Sequence, residues 1–200
     1  NVLRVGSAET PLTLSRSGAY AFTIHGTMPF ALSSQGWGRL RNKEMDLTAS
    51  MPKGDLGLFM LAGFAKHAEG PMDFAAKVTG TLDHPVVTAD LDFHGGRIVP
   101  KMIATSVDDI QGRIKVRANQ VAVEDLNARI GQGRVFFWTP PAEESKMVLD
   151  GFAPKYYDLR VRTVTERGVL LNIPAIMRPG EWGEMFFYGS RREDPLLIVG

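Results

Sequence analysis

The sequence predicts an all-β, antiparallel protein with one dry and one wet face, and three observations predict it. Apolar and polar residues alternate with period two through most of the chain. Gly, Pro, Asn and Asp punctuate the alternating runs, as strand boundaries require. Only one segment departs from alternation toward helical spacing. Strict alternation over many strands leaves one face greasy and the other solvated.

Taken in order, the helical exception comes first. In Lys53 to Gly70, Leu56, Phe59, Met60, Gly63 and Phe64 fall at helical spacing, with Asp55 as N-cap and Gly70 as stop. A short helix is expected over Gly54 to Lys66, although Gly57 and Gly63 each cost about 1 kcal/mol against Ala in a helix. It would pack across the dry face or at its end. Next, Phe74, Ala76 and Val78 oppose Asp73, Lys77 and Thr79. After the turn at Leu82–Pro85, Val87, Ala89, Leu91 and Phe93 oppose Thr88, Asp90, Asp92 and His94. Ile110, Ile114 and Val116 oppose Gln111, Arg113, Lys115 and Arg117. Beyond an Ala118–Asn119 turn come Val121 and Val123, then Leu126, Ala128 and Ile130, then Val135 and Phe137. Tyr157, Leu159 and Val161 alternate with Asp158, Arg160 and Arg162, and Val169, Leu171 and Ile173 close the series. Gly-Arg-apolar recurs at Gly38, Gly96, Gly112 and Gly133 with uneven spacing, a repeated strand-to-strand device and not a fixed-period solenoid.

Composition narrows function. The 200 residues carry 44% hydrophobic and 22% charged residues, which is globular and not disordered. A formal net charge of +1 lacks the basic excess of a nucleic-acid binder. With no cysteine there are no disulfides, thiolate metal sites or cysteine nucleophiles. No run approaches the roughly 18 apolar residues of a membrane-spanning helix. The chain begins and ends in mid-pattern and reads as a segment of a longer repeating sheet. Residues 1–70 would end one unit with its short helix, and 71–200 would form the next.

Motifs for chemistry are thin. His25, His67, His84 and His94 have no metal-ligand spacing. Asp108–Asp109 and Glu143–Glu144 are adjacent pairs, expected to point to opposite faces and so not to converge on one bond. Gly131 to Phe137 lacks the Lys-Ser/Thr of a phosphate loop and leads into a strand. No Gly-x-Ser-x-Gly elbow is present. The expectation is a protein that is not an enzyme and takes no cofactor or metal. A glycan-active β-helix enzyme is a further rival; it would need converging carboxylates. Phe136, Phe137, Trp138, Tyr156, Tyr157, Trp182, Phe186, Phe187 and Tyr188 gather in the second half, as core or as a strip for sugar or lipid.

The run from Asp73 to Phe137 resembles the TamB/AsmA-like family of Gram-negative envelope proteins, the translocation and assembly module group. Val78, Gly80, Thr81, Leu82, Pro85, Leu91, Gly96, Arg97 and Ile98 fit the first half of its unit. Ile110, Gly112, Ile114, Asn119, Val121, Val123, Leu126, Ala128, Gly131, Gly133 and Val135 fit the second, and Thr139 to Lys146 depart from it. The resemblance implies a β-taco: an elongated antiparallel sheet curled into a half-pipe, apolar within. It implies a periplasmic protein anchored in the inner membrane by a segment outside this chain. It further implies phospholipid transport between inner and outer membranes, with acyl chains as ligand and an outer-membrane β-barrel as partner. No catalytic residues carry over. The expected groove lining is Phe74, Val78, Leu91, Phe93, Ile110, Ile114, Val116, Val121, Val123, Ile130, Val135, Phe137, Leu159, Val161, Val169, Leu171 and Ile173. Two rivals stand beside it: the same residues packing a closed sandwich or barrel core, and a scaffold assisting β-barrel assembly by strand addition.

Overall fold

A computed structural model describes residues 2–16, 20–31, 40–61, 63–101, 105–140, 147–151, 153–156, 158–163, 169–172, 184–187 and 196–199. The first strands are β1 (Val2–Val5), β2 (Leu12–Arg16), β3 (Tyr20–Pro29) and β4 (Glu44–Asp55). One helical turn, α1 (Leu58–Leu61), separates β4 from β5 (Ala65–Glu69). The centre is built from β6 (Pro71–Thr81), β7 (Pro85–His94), β8 (Arg97–Pro100), β9 (Val107–Arg117), β10 (Gln120–Ile130) and β11 (Gly133–Trp138). The remainder are β12 (Met147–Asp150), β13 (Ala153–Tyr156), β14 (Asp158–Thr163), β15 (Val169–Asn172), β16 (Glu184–Phe187) and β17 (Leu196–Val199).

Fifteen strands form one sheet, ordered β1-β3-β4-β6-β7-β9-β10-β11-β14-β17 along its main path. Every pairing is antiparallel. The two ends of that path do not pair with each other, so the sheet is open and not a barrel. Strands β1 and β2 lie end to end along the outer edge of β3, pairing with Gly26–Pro29 and Tyr20–Ile24 respectively. Strands β7 and β8 share one edge of β9 in the same manner. Strands β15 and β16 form a separate two-stranded sheet.

Along the main path of the sheet, three bulges among the described residues keep the faces in phase. At each, one strand carries an extra residue: Lys53 in β4, Asp109 in β9 and Asp125 in β10, with φ of 54°, 51° and 49°. A left-handed residue absorbs the insertion, so the side chains beyond it return to the face they would otherwise leave. Val107 therefore stays on the face of Ile110 and Ile114, and Leu126, Ala128 and Ile130 on that of Val121 and Val123. Glycines allow the sharpest approach. The β5–β6 and β7–β8 arms break opposite one another, at Gly70 (φ 121°) and Gly96 (φ 126°), where a Cβ on Gly70 would stand 2.4 Å from the Gly96 Cα. No side chain fits there.

The helix differs from its expectation. Strand β4 runs on through Asp55, and only Leu58–Leu61 is helical instead of Gly54 to Lys66. Gly63 turns the chain out at φ 82°, and Ala65 opens β5. Asp55 does cap the turn: its Oδ1 accepts from the Gly57 N–H at 2.7 Å and its Oδ2 from the Gly70 N–H at 2.9 Å. Gly70 ends no helix; it marks the break between β5 and β6. The expected departure at Thr139 to Lys146 falls mostly outside the described residues, after which β12 resumes the sheet by pairing with β10.

Candidate functional site

The register lines inward side chains up in rows that cross the strands. One row runs Ile24, Ala49, Ala76, Ala89, Val116, Val121. On one side of it stand Leu47, Val78 and Val87. On the other stand Met51, Phe74, Leu91, Ile114 and Val123. Beyond them lie Gly54, Met72, Phe93 and Gly112. Three alanines between bulkier rows make a low strip that crosses the strands. Six strands span about 24 Å at roughly 4.8 Å per inter-strand step.

The face continues across the second half of the sheet. Leu126 pairs with Phe137, Ala128 with Val135, Phe137 with Val161, and Leu159 with Ile198. Of the residues expected to line a groove, Phe74, Val78, Leu91, Phe93, Ile110, Ile114, Val116, Val121, Val123, Ile130, Val135, Phe137, Leu159 and Val161 share this face. Val169 and Leu171 belong to β15, in the separate two-stranded sheet. Ile173 lies outside the described residues. The expected lining did not include Ile24, Leu47, Ala49, Met51 or Met72, and Leu56 was placed on the helix expected across this face or at its end. The alternation of Leu47, Ala49 and Met51 against Thr48 and Ser50 was the available signal.

Burial along this face is uneven. Met51, Leu56 and Met72 are 0% exposed. Leu56 packs over Gly96, and the Phe59 ring stacks on Phe93 with centroids 6.3 Å apart. The α1 turn thus covers one end. At the opposite end Pro85 is buried, and Gly151, in the turn between β12 and β13, packs against it. Asn119 ties that end together. Its Oδ1 accepts from the Val87 N–H at 2.6 Å, its Nδ2 donates to the Pro85 carbonyl at 2.8 Å, and its own carbonyl accepts from the Leu149 N–H at 2.8 Å. Between these covers Ala76, Val78, Val87, Leu91, Ile114 and Val121 keep part of their surface exposed, although they sit mid-sheet.

The opposite face is charged and internally paired. Lys77 meets Asp46 at 3.4 Å, Arg117 meets Asp90 at 2.6 Å, Lys115 meets Glu124 at 2.9 Å, and Arg113 bonds Asp92. That last pair raises the Arg113 guanidinium above its ordinary value. Asp73 is held below the usual carboxylate range, first by the Lys53 backbone N–H and then by the His94 ring at 2.9 Å. Asp109 is lowered by Arg134 and then by Gln111. Asp108 and Asp109 do not point to opposite faces: the bulge at Asp109 brings both to the charged side. There Arg97 takes Asp108 at 3.2 Å and Arg134 takes Asp109, so neither carboxylate stands free. Among the described residues no cluster of three or more His, Asp or Glu could hold a metal ion. A depression of about 290 Å³ lies at the β10 bulge, lined by Val123, Glu124, Asp125, Phe136, Phe137, Trp138 and Arg162, with the Arg162 guanidinium 4.7 Å over the Phe136 ring. Among the described residues, no helix is long and apolar enough to cross a membrane.

Comparison with curated proteins finds relatives in plants. The chain is 24% identical over 103 residues to Protein SUBSTANDARD STARCH GRAIN 4, chloroplastic, of Oryza sativa subsp. japonica. It is 26% identical over 97 residues to Protein TIC236, chloroplastic, of Arabidopsis thaliana. The matched stretches cover 51% and 48% of this chain but 5% and 4% of the two relatives. No family model matches. No solved structure matches. These findings correct the expected assignment to Gram-negative TamB/AsmA-like envelope proteins, and with it the periplasmic, inner-membrane-anchored location: the relatives are chloroplastic. The assignment rested on the order of glycines and apolar residues. Any long alternating sheet with glycine-pinned bends reproduces much of that order.

Proposed function

We propose that the apolar face is a track for lipid acyl chains and that the chain is a non-enzymatic element of lipid transport at a membrane envelope. One observation carries this reading. Mid-sheet Ala76, Val78 and Val87 remain partly exposed on a face whose ends are covered, where a sealed core would bury them fully. Acyl chains would cover that surface, at roughly 25 cal/mol for each Å² taken from water. A strip of Ala between Val, Leu and Phe offers many weak, equivalent contacts and no polar anchor, which suits a moving guest. The relatives' chloroplastic location supports a plastid setting in place of a bacterial one. The test is mass spectrometry of the purified chain for co-purifying phospholipid, together with shielding of an apolar fluorophore. Ala76→Asp should abolish both while circular dichroism keeps its β signal. Absence of lipid and of shielding in the unsubstituted chain overturns the reading.

A second reading rests on the sheet edge. Val2, Leu3, Leu12 and Leu14 are 63%, 40%, 49% and 57% exposed on β1 and β2, which among the described residues pair on one side only. An open, greasy edge is a template for strand addition. Cross-linking of a β-barrel precursor to Thr13, and not to Ala76, would favour this scaffold role.

A further inference from the structure

The loop that covers one end of the apolar face also presents a greasy tip outward. Leu56 and Phe59 turn inward, but Phe64 is 70% exposed and Met60 40% exposed. At Phe64 the backbone is hydrogen-bonded on both sides. The Phe64 N–H donates to the Phe59 carbonyl at 2.9 Å, and the Phe64 carbonyl accepts from the Lys101 N–H at 3.1 Å. The ring is held out from both sides. Lys66 and Lys101 are exposed beside it, and a Cβ on Gly63 would stand 3.7 Å from the Lys101 Nζ. Neither lysine pairs with a carboxylate among the described residues. The nearby acids are engaged: Asp55 with two backbone N–H groups and Glu69 with His67 at 3.5 Å.

We infer that this tip docks on the surface of an anionic lipid bilayer, with Phe64 and Met60 entering the interfacial layer and Lys66 and Lys101 meeting the headgroups. An aromatic ring and a thioether flanked by unpaired ammonium groups combine the two attractions that hold peripheral proteins on membranes. Charge complementarity selects anionic over zwitterionic lipid. The inference builds on the lipid-track reading, since it places a bilayer against one end of the track, but it concerns a different surface.

The test is co-sedimentation of the 200-residue chain with vesicles of phosphatidylcholine alone or mixed with phosphatidylglycerol. Binding to the mixed vesicles that weakens with added salt is expected. Phe64→Asp should reduce the partition about tenfold. Lys66→Gln and Lys101→Gln should each reduce it about fivefold. Val86→Asp, which alters another exposed apolar residue away from the tip, should leave it unchanged. No binding to mixed vesicles, or Phe64→Asp binding as the unsubstituted chain does, overturns the inference and leaves the tip as a protein contact. Fluorophore shielding separates the two readings. Lost shielding with intact vesicle binding sinks the track alone, whereas Phe64→Asp should lose the vesicles and keep the shielding.

Discussion

Met72 and Ala76 stand four residues apart on β6 and face the same way, yet Met72 is 0% exposed while Ala76 keeps part of its surface in the open. The strand, pairing partners and pleat are common to both. What differs is the α1 turn, which lays Leu56 and Phe59 over the first region and not the second. Cover from outside the sheet accounts for the burial at Met72, while Ala89, Val116 and Val123 on the same face are buried as well; the surface left for a guest is that of Ala76, Val78 and Val87.

The largest contrast comes from truncating each region. Met72→Ala should cost about 2–5 kcal/mol in urea unfolding, because neighbours already locked under α1 cannot collapse into the space. Val78→Ala should cost about 1 kcal/mol or less, since part of the side chain already meets water. Equal losses at the two positions would mean that the middle of the face is as sealed as its end.

Backbone approach gives the next effect. Gly112 has φ 121°, and a Cβ there would stand 2.5 Å from the Leu126 Cα. Gly112→Ala should cost about 1–3 kcal/mol, combining an unfavourable φ with a forced shift of β10. Because Gly112 lies beside the covered region and beneath the bulge at Asp125, this loss should leave fluorophore shielding over the alanine row intact. A simultaneous loss of shielding would show the two regions to be mechanically one.

A smaller effect decides most about the open region. Ala76→Leu adds bulk between Ala49 and Ala89. On an open face the added methylenes point into solvent-accessible space, and stability should change by no more than about 0.5 kcal/mol. In a packed core the same change costs about 1–3 kcal/mol. Bound lipid should fall while the urea midpoint holds.

The difference between the regions was only half legible in the residues. Alternation in Phe74–Val78, Val87–Phe93 and Ile110–Val116 identifies which side chains share a face, because a period of two survives any packing partner. Phase across the bulges was visible as a slip between Val123 and Leu126, but its cause was not. Asp tolerates the left-handed region, but nothing in the alternation singles out Asp109 or Asp125, and the bulge at Asp109 turned the inference about Asp108–Asp109 to the wrong side. The helix failed for a related reason. Leu56, Phe59, Met60 and Phe64 have helical spacing, yet Gly57 and Gly63 restrict the helix to one turn, and the apolar stripe divides between a cover and an exposed tip. The small row of Ala49, Ala76 and Ala89 was missed as a unit, since cross-strand register is a property of pairing and not of any one strand.

The smallest effect lies on the charged face and tests whether that face contributes independently of the apolar one. The Asp73 carboxyl sits below its ordinary value, through the Lys53 backbone N–H and the His94 ring. A carboxyl lowered on folding adds stability that is fully present above its unfolded pKa of about 3.9 and is lost as pH falls through the lower folded value. Asp73→Asn keeps an acceptor oxygen for Lys53 but no charge, so the gap between parent and variant should be constant near neutrality and shrink below about pH 4. Both partners are substantially exposed, so screening by water and salt keeps the gap small. Urea midpoints measured across that window should converge on the acid side. If they run parallel throughout, Asp73 acts as a neutral hydrogen-bond acceptor at the Lys53 bulge, and it is the bulge rather than the charge that sets the register joining the covered and open regions.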